Sequence, residues 1–271
     1  MEHKTIYLDP ADQRVTLDTY VADDRSRVRD ALIVIPGGGY RDVCKSREGE
    51  PVALEFFSRG MNCFVLNYRV SMETDRYPTQ LIDVSRAILY VKRNAEALGI
   101  NPDRVFVLGF SAGGHLAASS AVLHKDPEVL KALGISKGEN KPFGAILCYP
   151  VITAIDDAHK GSFEYLTGKP FDEISYEERA RFSLETRVDE DSSPAFIWHT
   201  ATDTTVPVIS SLRMAESYYR KGIRMSLHIF PYGRHGISLA TEQSSAGDPG
   251  NVVPTAESWA SLAYEWMTTL E

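Results

Sequence analysis

Cysteine is scarce in this sequence, with three residues among 271. Cys63 and Cys148 fall inside predicted core strands, and Cys44 falls in a loop. No CxxC motif and no Cys/His spacing is typical of a metal site. We therefore expect buried thiols and no bound metal ion.

Long hydrophobic runs are absent as well. The first eight residues contain no apolar stretch of signal-peptide length, and no later run is long enough to cross a bilayer. The sequence as written therefore predicts a cytoplasmic protein.

Positive charge is in deficit, because 29 lysines and arginines stand against 37 acidic residues and the net charge is −8. An acidic surface argues against nucleic acid or an anionic membrane as a partner.

The length suits one large domain over residues 1–271, with no internal repeat, low-complexity tract or interdomain linker. Both a monomer and a homo-oligomer remain open.

The most informative stretch covers residues 104–118. Residues 105–108 are apolar and largely β-branched, which indicates a buried parallel strand, whereas the alanine-rich residues 116–122 suit a buried helix. Between them lies Gly109-Phe-Ser-Ala-Gly113, the pattern of a serine on a sharp strand-to-helix turn. Taken alone, the same five residues also fit an ordinary glycine-rich turn between a strand and a helix.

The glycine spacing around Ser111 has a physical reason. A turn this tight forces Ser111 into a strained backbone conformation, and Gly109 and Gly113 must lack side chains so that strand and helix can touch. The Ser111 hydroxyl is then held clear of the sheet. The Ala112 amide begins a helix whose positive end stabilises a developing oxyanion.

The rest of the chain alternates between strand and helix patterns, which predicts an α/β fold. We expect a mostly parallel central sheet with helices on both faces, preceded by an antiparallel edge pair. A stretch of 43 residues, 151–193, lacks strand character, and we interpret it as a small, partly helical insertion near the site. The predicted strands are 5–8, 14–21, 31–35, 62–67, 105–108, 144–149, 194–200 and 225–230, and the predicted helices are 50–59, 79–98, 116–122, 206–221 and 259–270.

Three consecutive glycines, residues 37–39, follow the predicted core strand 31–35. Such a run costs backbone entropy, which indicates a close approach of the backbone to another group. In a hydrolase that group is a carbonyl oxygen, toward which the amides of Gly38 and Gly39 point. A flexible turn is the alternative.

A serine nucleophile needs a base within hydrogen-bonding distance, and that base is oriented by an acid. Of the seven histidines, only His235 lies in a loop directly after the last predicted strand. Asp203 follows the preceding strand and is the candidate acid, although a helix cap or turn residue is the usual role of such an aspartate. Asp156 and Asp157 are the competing candidates.

Four motifs together resemble the α/β-hydrolase esterases. The chain is most similar to the small carbohydrate acetyl-esterase and acetylxylan-esterase branch, which borders the hormone-sensitive-lipase-like esterases. Where related lipases carry His-Gly-Gly-Gly, this chain has Pro at position 36, a change that leaves the backbone donors of Gly38 and Gly39 in place. The motifs are Pro36-Gly-Gly-Gly-Tyr40, Gly109-Phe-Ser-Ala-Gly-Gly-His115, His199-Thr-Ala-Thr-Asp203 with Val206-Pro207, and Phe230-Pro-Tyr-Gly-Arg-His-Gly236.

The resemblance implies a serine esterase that needs no metal or organic cofactor. Its catalytic residues would be Ser111, His235 and Asp203, with an oxyanion hole formed by the amides of Gly38, Gly39 and Ala112. It further implies a small-molecule ester substrate with a short acyl chain, above all acetyl groups on xylose units or xylo-oligosaccharides.

The role of three tyrosines and the exact activity both stay open. Tyr40, Tyr68 and Tyr149 lie near strand or loop ends, where they could stack on sugar rings, although packing is the commoner role of tyrosine. An amide hydrolase, such as an arylformamidase or a small peptidase, and a non-catalytic ligand receptor are the alternative functions on the same scaffold.

Overall fold

A central β-sheet organises the molecule in a computed structural model that describes residues 1–70 and 73–271. In this part of the chain the sheet has eight strands in the order β1-β2-β4-β3-β5-β6-β7-β8, and β2 is antiparallel to both of its neighbours while all other pairs are parallel. The mostly parallel sheet predicted from the sequence is therefore confirmed. The strands are β1 Glu2–Tyr7, β2 Thr16–Val21, β3 Arg29–Ile35, β4 Asn62–Asn67, β5 Ile100–Phe110, β6 Gly144–Cys148, β7 Ala195–Thr200 and β8 Met225–Phe230.

Helices cover both faces of the sheet, because alternate residues of the strands point to opposite sides. On β3, for example, Ile33 packs into one buried cluster, and Leu32 and Val34 pack into the other. The helices are α1 Lys45–Glu48, α2 Glu50–Ser58, α3 Thr79–Arg93, α4 Ala95–Leu98, α5 Ser111–Val122, α6 Pro127–Leu133, α7 Lys160–Thr167, α8 Tyr176–Phe182, α9 Ile209–Arg220 and α10 Trp259–Thr269. The first cluster includes residues of α3, α5 and α9, and the second includes residues of α2 and α10.

Outside the insertion, the structure divides one predicted helix and contains two helices, α1 and α6, that the sequence pattern does not predict. The single helix predicted over 79–98 is interrupted at Asn94, which ends α3 with its side chain donating to the carbonyl oxygen of Tyr90. Helix α6 was absent from the sequence prediction although its start is marked locally. Asp126 accepts hydrogen bonds from the first-turn amides, and Pro127 occupies the first helical position.

The insertion over residues 151–193 is partly helical, as predicted, and contains α7 and α8. Helix α8 begins with a reciprocal capping box between Ser175 and Glu178. The carbonyl oxygen of Phe182, at the end of α8, lies 2.9 Å from Nε2 of the buried His115 on α5. The insertion is therefore anchored to the helix that begins at Ser111.

Candidate active site

Ser111 lies at the junction of β5 and α5 with a φ of 54°, a left-handed conformation that is rare for a residue with a side chain. A Cβ atom on Gly109 would lie 2.1 Å from the carbonyl oxygen of Gly113. One on Gly113 would lie 2.2 Å from the carbonyl oxygen of Ile35. The strained serine and the requirement for both glycines, predicted from the spacing, are confirmed.

The structure brings Ser111, His235 and Asp203 together from three separate loops or turns. Nε2 of His235 lies 2.8 Å from Oγ of Ser111, and Nδ1 of His235 lies 2.6 Å from Oδ2 of Asp203. With Asp203 ionised, Nδ1–H donates to the carboxylate and Nε2 accepts from the hydroxyl. This is the tautomer that a base needs in order to take the serine proton.

Asp203 is held by contacts on both of its carboxylate oxygens. Oδ1 accepts from the backbone amides of Thr205 and Val206 at 2.9 and 3.0 Å. Oδ2 faces His235 and lies 3.3 Å from Nε2 of the buried His199. Burial by itself would raise the pKa of Asp203, but the hydrogen bonds from His199 and His235 outweigh it and hold the pKa well below its usual range. Asp203 is therefore ionised at neutral pH.

The competing acids lie elsewhere. Asp156 and Asp157 are both exposed, and their segment contacts Arg213 through the carbonyl oxygen of Asp156 and the carboxylate of Asp157. The only carboxylate of the described residues that contacts His235 is that of Asp203.

The candidate oxyanion donors lie in the loop after β3 and in the first turn of α5. Gly38 and Gly39 have φ values of 135° and 65°, and both line the same cavity as Ser111 and His235. A Cβ atom on Gly38 would lie 2.0 Å from the carbonyl oxygen of Asp42, so the loop can follow this path only with glycine. Among the described residues, no group accepts a hydrogen bond from the amides of Gly38 or Gly39. Ala112 occupies the first turn of α5, where amides have no partner within the helix.

The expected sugar-stacking role of Tyr40, Tyr68 and Tyr149 is wrong, because each is only 1% exposed. Their hydroxyl groups bind within the protein. That of Tyr40 lies 2.8 Å from Nδ1 of His115, and that of Tyr68 donates to the carbonyl oxygen of Pro36 at 2.9 Å. Tyr149 packs edge-on against the His235 ring, with ring centroids 5.0 Å apart. These tyrosines are packed inside the protein next to the site and have no exposed surface that a sugar could contact.

The cavity above Ser111 has a volume of about 420 Å³. Sequence reasoning did not single out His159, Tyr165 and Thr205 as site residues, although all three line it. His159 and Tyr165 belong to the insertion, so only the fold of that segment brings them near Ser111. The other lining residues are Gly38, Gly39, Arg41, Asp42, Cys44, Arg47, Glu48, Gly161, His235 and Gly236.

His159 is the histidine that the insertion adds to this cavity. Its Nδ1 lies 2.9 Å from the hydroxyl of the buried Ser162. Burial and the nearby His235 lower the pKa of His159, with a smaller opposing effect of Asp203. The ring is therefore neutral at neutral pH and offers a polar contact without adding charge.

Two other kinds of site are absent from the part of the chain that the structure describes. No group of three or more His, Cys, Asp or Glu side chains could hold a metal ion there. No helix within residues 1–70 and 73–271 has the length and hydrophobicity needed to cross a membrane.

Comparison with known sequences identifies relatives with named activities. The BD-FAE family model matches residues 17–218. Endo-1,4-β-xylanase B of Butyrivibrio fibrisolvens is 39% identical over 230 residues, which cover 82% of this chain and 34% of that protein. Acetylxylan esterase of Xylanibacter ruminicola is 30% identical over 217 residues, which cover 78% of this chain and 42% of that protein. The chain thus spans less than half the length of these curated relatives.

Solved structures match over nearly the full length. The acetyl ester-xyloside bifunctional hydrolase of Caldicellulosiruptor lactoaceticus is 34% identical, with a TM-score of 0.81 and coverage of 98% of this chain and 96% of that one. The carboxylesterase Cest-2923 of Lactobacillus plantarum is 27% identical, with a TM-score of 0.83 and coverage of 99% and 97%. An α/β hydrolase from a deep-sea metagenome, MGS-M1, has a TM-score of 0.79 at 31% identity and coverage of 100% and 98%.

Proposed function

Because the chain belongs to the BD-FAE family, we propose that it is a serine esterase that hydrolyses short-chain acyl esters. The observation that carries this proposal is the hydrogen-bonded series from Ser111 through His235 to Asp203. The series lies at the edge of a cavity whose wall includes the donor loop of Gly38 and Gly39. A nucleophile, its base, an orienting acid and oxyanion donors are the groups that acyl transfer requires.

The proposed reaction has two steps. Nε2 of His235 takes the proton of Ser111 as Oγ attacks the ester carbonyl carbon, and the amides of Gly38, Gly39 and Ala112 bind the resulting oxyanion. His235 then gives its proton to the leaving alcohol, which leaves an acyl group on Ser111. In the second step water, activated by the same histidine, releases the acid. Each oxyanion donor is expected to contribute about 3 to 4 kcal/mol to transition-state stabilisation.

For the substrate, we propose acetyl esters of xylo-oligosaccharides or related sugars. The names of the relatives support this choice, since two of them act on acetylated xylan or on acetyl esters and xylosides. The cavity also supports it, because Arg41, Asp42, His159 and Thr205 present polar groups suited to a hydroxylated alcohol.

The test is a series of p-nitrophenyl esters from acetate to octanoate, measured beside acetylated xylo-oligosaccharides and formyl-amide substrates. We expect the highest kcat/KM on acetate among the p-nitrophenyl esters, release of acetate from the sugars, and no turnover by Ser111→Ala. A preference for octanoate would contradict the short-acyl proposal. Turnover by Ser111→Ala at the wild-type rate would contradict the mechanism.

A further inference from the structure

Glu48, at the end of α1, is a buried acidic residue that the proposed mechanism does not use. Glu48 is only 2% exposed. Oε2 accepts from the backbone amide of Gly37 at 2.8 Å, and Oε1 accepts from the Tyr149 hydroxyl at 2.8 Å. Among the described residues, no lysine, arginine or histidine forms an ion pair with this carboxyl group. Its role is therefore defined by these two hydrogen bonds.

The first hydrogen bond reaches the proposed oxyanion loop. Gly37 directly precedes Gly38, and its carbonyl oxygen accepts from the amide of Cys44 at 2.9 Å. A Cβ atom on Gly37 would lie 2.8 Å from Oε2 of Glu48 and 3.1 Å from Cβ of Ser111. The carboxyl group thus contacts the loop at the point where the loop passes Ser111.

The second hydrogen bond reaches the loop that carries His235. The Tyr149 oxygen accepts from the amide of Ser238 at 2.9 Å, three residues after His235. Burial raises the pKa of Tyr149 well above its usual value, so its hydroxyl keeps its proton and donates to Glu48. Arg47 adds a parallel link, because its guanidinium donates to the carbonyl oxygen of Gly236 at 2.8 Å.

From these contacts we propose that Glu48 is a positioning residue that joins the oxyanion loop to the histidine loop and holds both against Ser111. The inference rests on the proposed esterase function and deepens it. Glu48 lines the same cavity as Ser111, but its two hydrogen bonds are to Gly37 and Tyr149 and not to Ser111 or His235. It acts through Gly37 on one side, and through Tyr149 and Ser238 on the other.

The pattern of donors explains why a carboxylate is required. The Gly37 amide and the Tyr149 hydroxyl both donate, so the bridge needs two acceptor oxygens. A glutamine offers one acceptor, and its NH₂ group would face a donor. A buried hydroxyl or amide without an acceptor is costly, so one of the two loops must shift.

The experiment compares Glu48→Gln, Tyr149→Phe and the double variant on p-nitrophenyl acetate. Rates are expressed per active site, counted by the burst of p-nitrophenol or by fluorophosphonate labelling. We expect Glu48→Gln to lower kcat about 10- to 100-fold with KM within twofold, since a displacement on the order of 1 Å can cost about 100-fold in rate. The double variant should lose less than the product of the two single losses, because both substitutions break one bridge. The control Glu50→Gln, an exposed acid two residues along, should retain wild-type kcat.

A Glu48→Gln variant with kcat per active site within twofold of wild type would overturn the inference, as would a loss confined to the number of labelled sites. Should Glu48→Gln fail to fold, Tyr149→Phe removes a single oxygen from the same bridge, and its unchanged kcat would overturn the inference equally. The proposed function is tested separately by wild-type turnover against Ser111→Ala. Equal turnover by wild type and Ser111→Ala contradicts the esterase proposal. An unchanged Glu48→Gln rate contradicts only the proposed positioning role of Glu48.

Discussion

Replacing Asp203 by asparagine tests the proposed mechanism at the atom that orients the base. Oδ1 of Asp203 accepts from the amides of Thr205 and Val206. The asparagine carbonyl oxygen must keep that place, because those amides need an acceptor. The NH₂ group therefore takes the place of Oδ2, which lies 2.6 Å from Nδ1 of His235.

An NH₂ group at that position donates to Nδ1 of His235 and so selects the tautomer with its proton on Nε2. Nε2 then donates toward Ser111 and cannot accept the serine proton. A wrong tautomer in a Ser-His-Asp arrangement lowers kcat about 10⁴-fold, which corresponds to about 5.5 kcal/mol of activation free energy. Since the contacts of Oδ1 are kept, we expect the fold of the loop to survive.

The assay is steady-state hydrolysis of p-nitrophenyl acetate, with urea unfolding measured in parallel. Asp156→Asn is the matched control, because it makes the same chemical change at an exposed aspartate and should leave kcat unchanged. A loss of less than 10-fold in Asp203→Asn, or an equal loss in Asp156→Asn, would refute the reasoning.

Three further predictions concern stability and packing around the site. Gly113→Ala places a Cβ atom 2.2 Å from the backbone oxygen of Ile35, so it should destabilise the fold by about 3 kcal/mol or more in urea unfolding. In the control Gly161→Ala the nearest atom to the new Cβ lies at 3.9 Å, and the loss of stability should be far smaller. Burial lowers the pKa of His115 from 6.5 to about 4, so the folded protein binds fewer protons than the unfolded chain within that window. Its contribution to the free energy of unfolding, about 3 kcal/mol, should be lost as the pH falls from 6.5 to 4, and His115→Gln should flatten that slope. Tyr40→Phe should lower the free energy of unfolding by about 1 kcal/mol, because it removes the hydroxyl bound to His115. Its KM for acetylated sugars should stay unchanged. A raised KM would indicate that Tyr40 contacts the sugar after all.

Local constraints explain why the strand-to-helix turn could be predicted from the sequence. The two glycines that flank Ser111 are required by close contacts within the turn and with the adjacent strand. His235 and Asp203 could be selected because each follows a predicted strand, and the carboxyl ends of parallel strands meet at one edge of a sheet. The sheet and the candidate nucleophile, base and acid thus follow from short-range patterns and chain order.

The tertiary structure alone decided which side chains reach the cavity and which support it from beneath. Tyr40, Tyr68 and Tyr149 lie at strand or loop ends, yet neighbouring elements cover all three. His159 reaches the site because the insertion folds back toward Ser111. The hydrogen bond from Tyr149 to Glu48 spans 101 positions of the chain. Burial and such pairings depend on elements far apart in sequence, which is why local patterns cannot specify them.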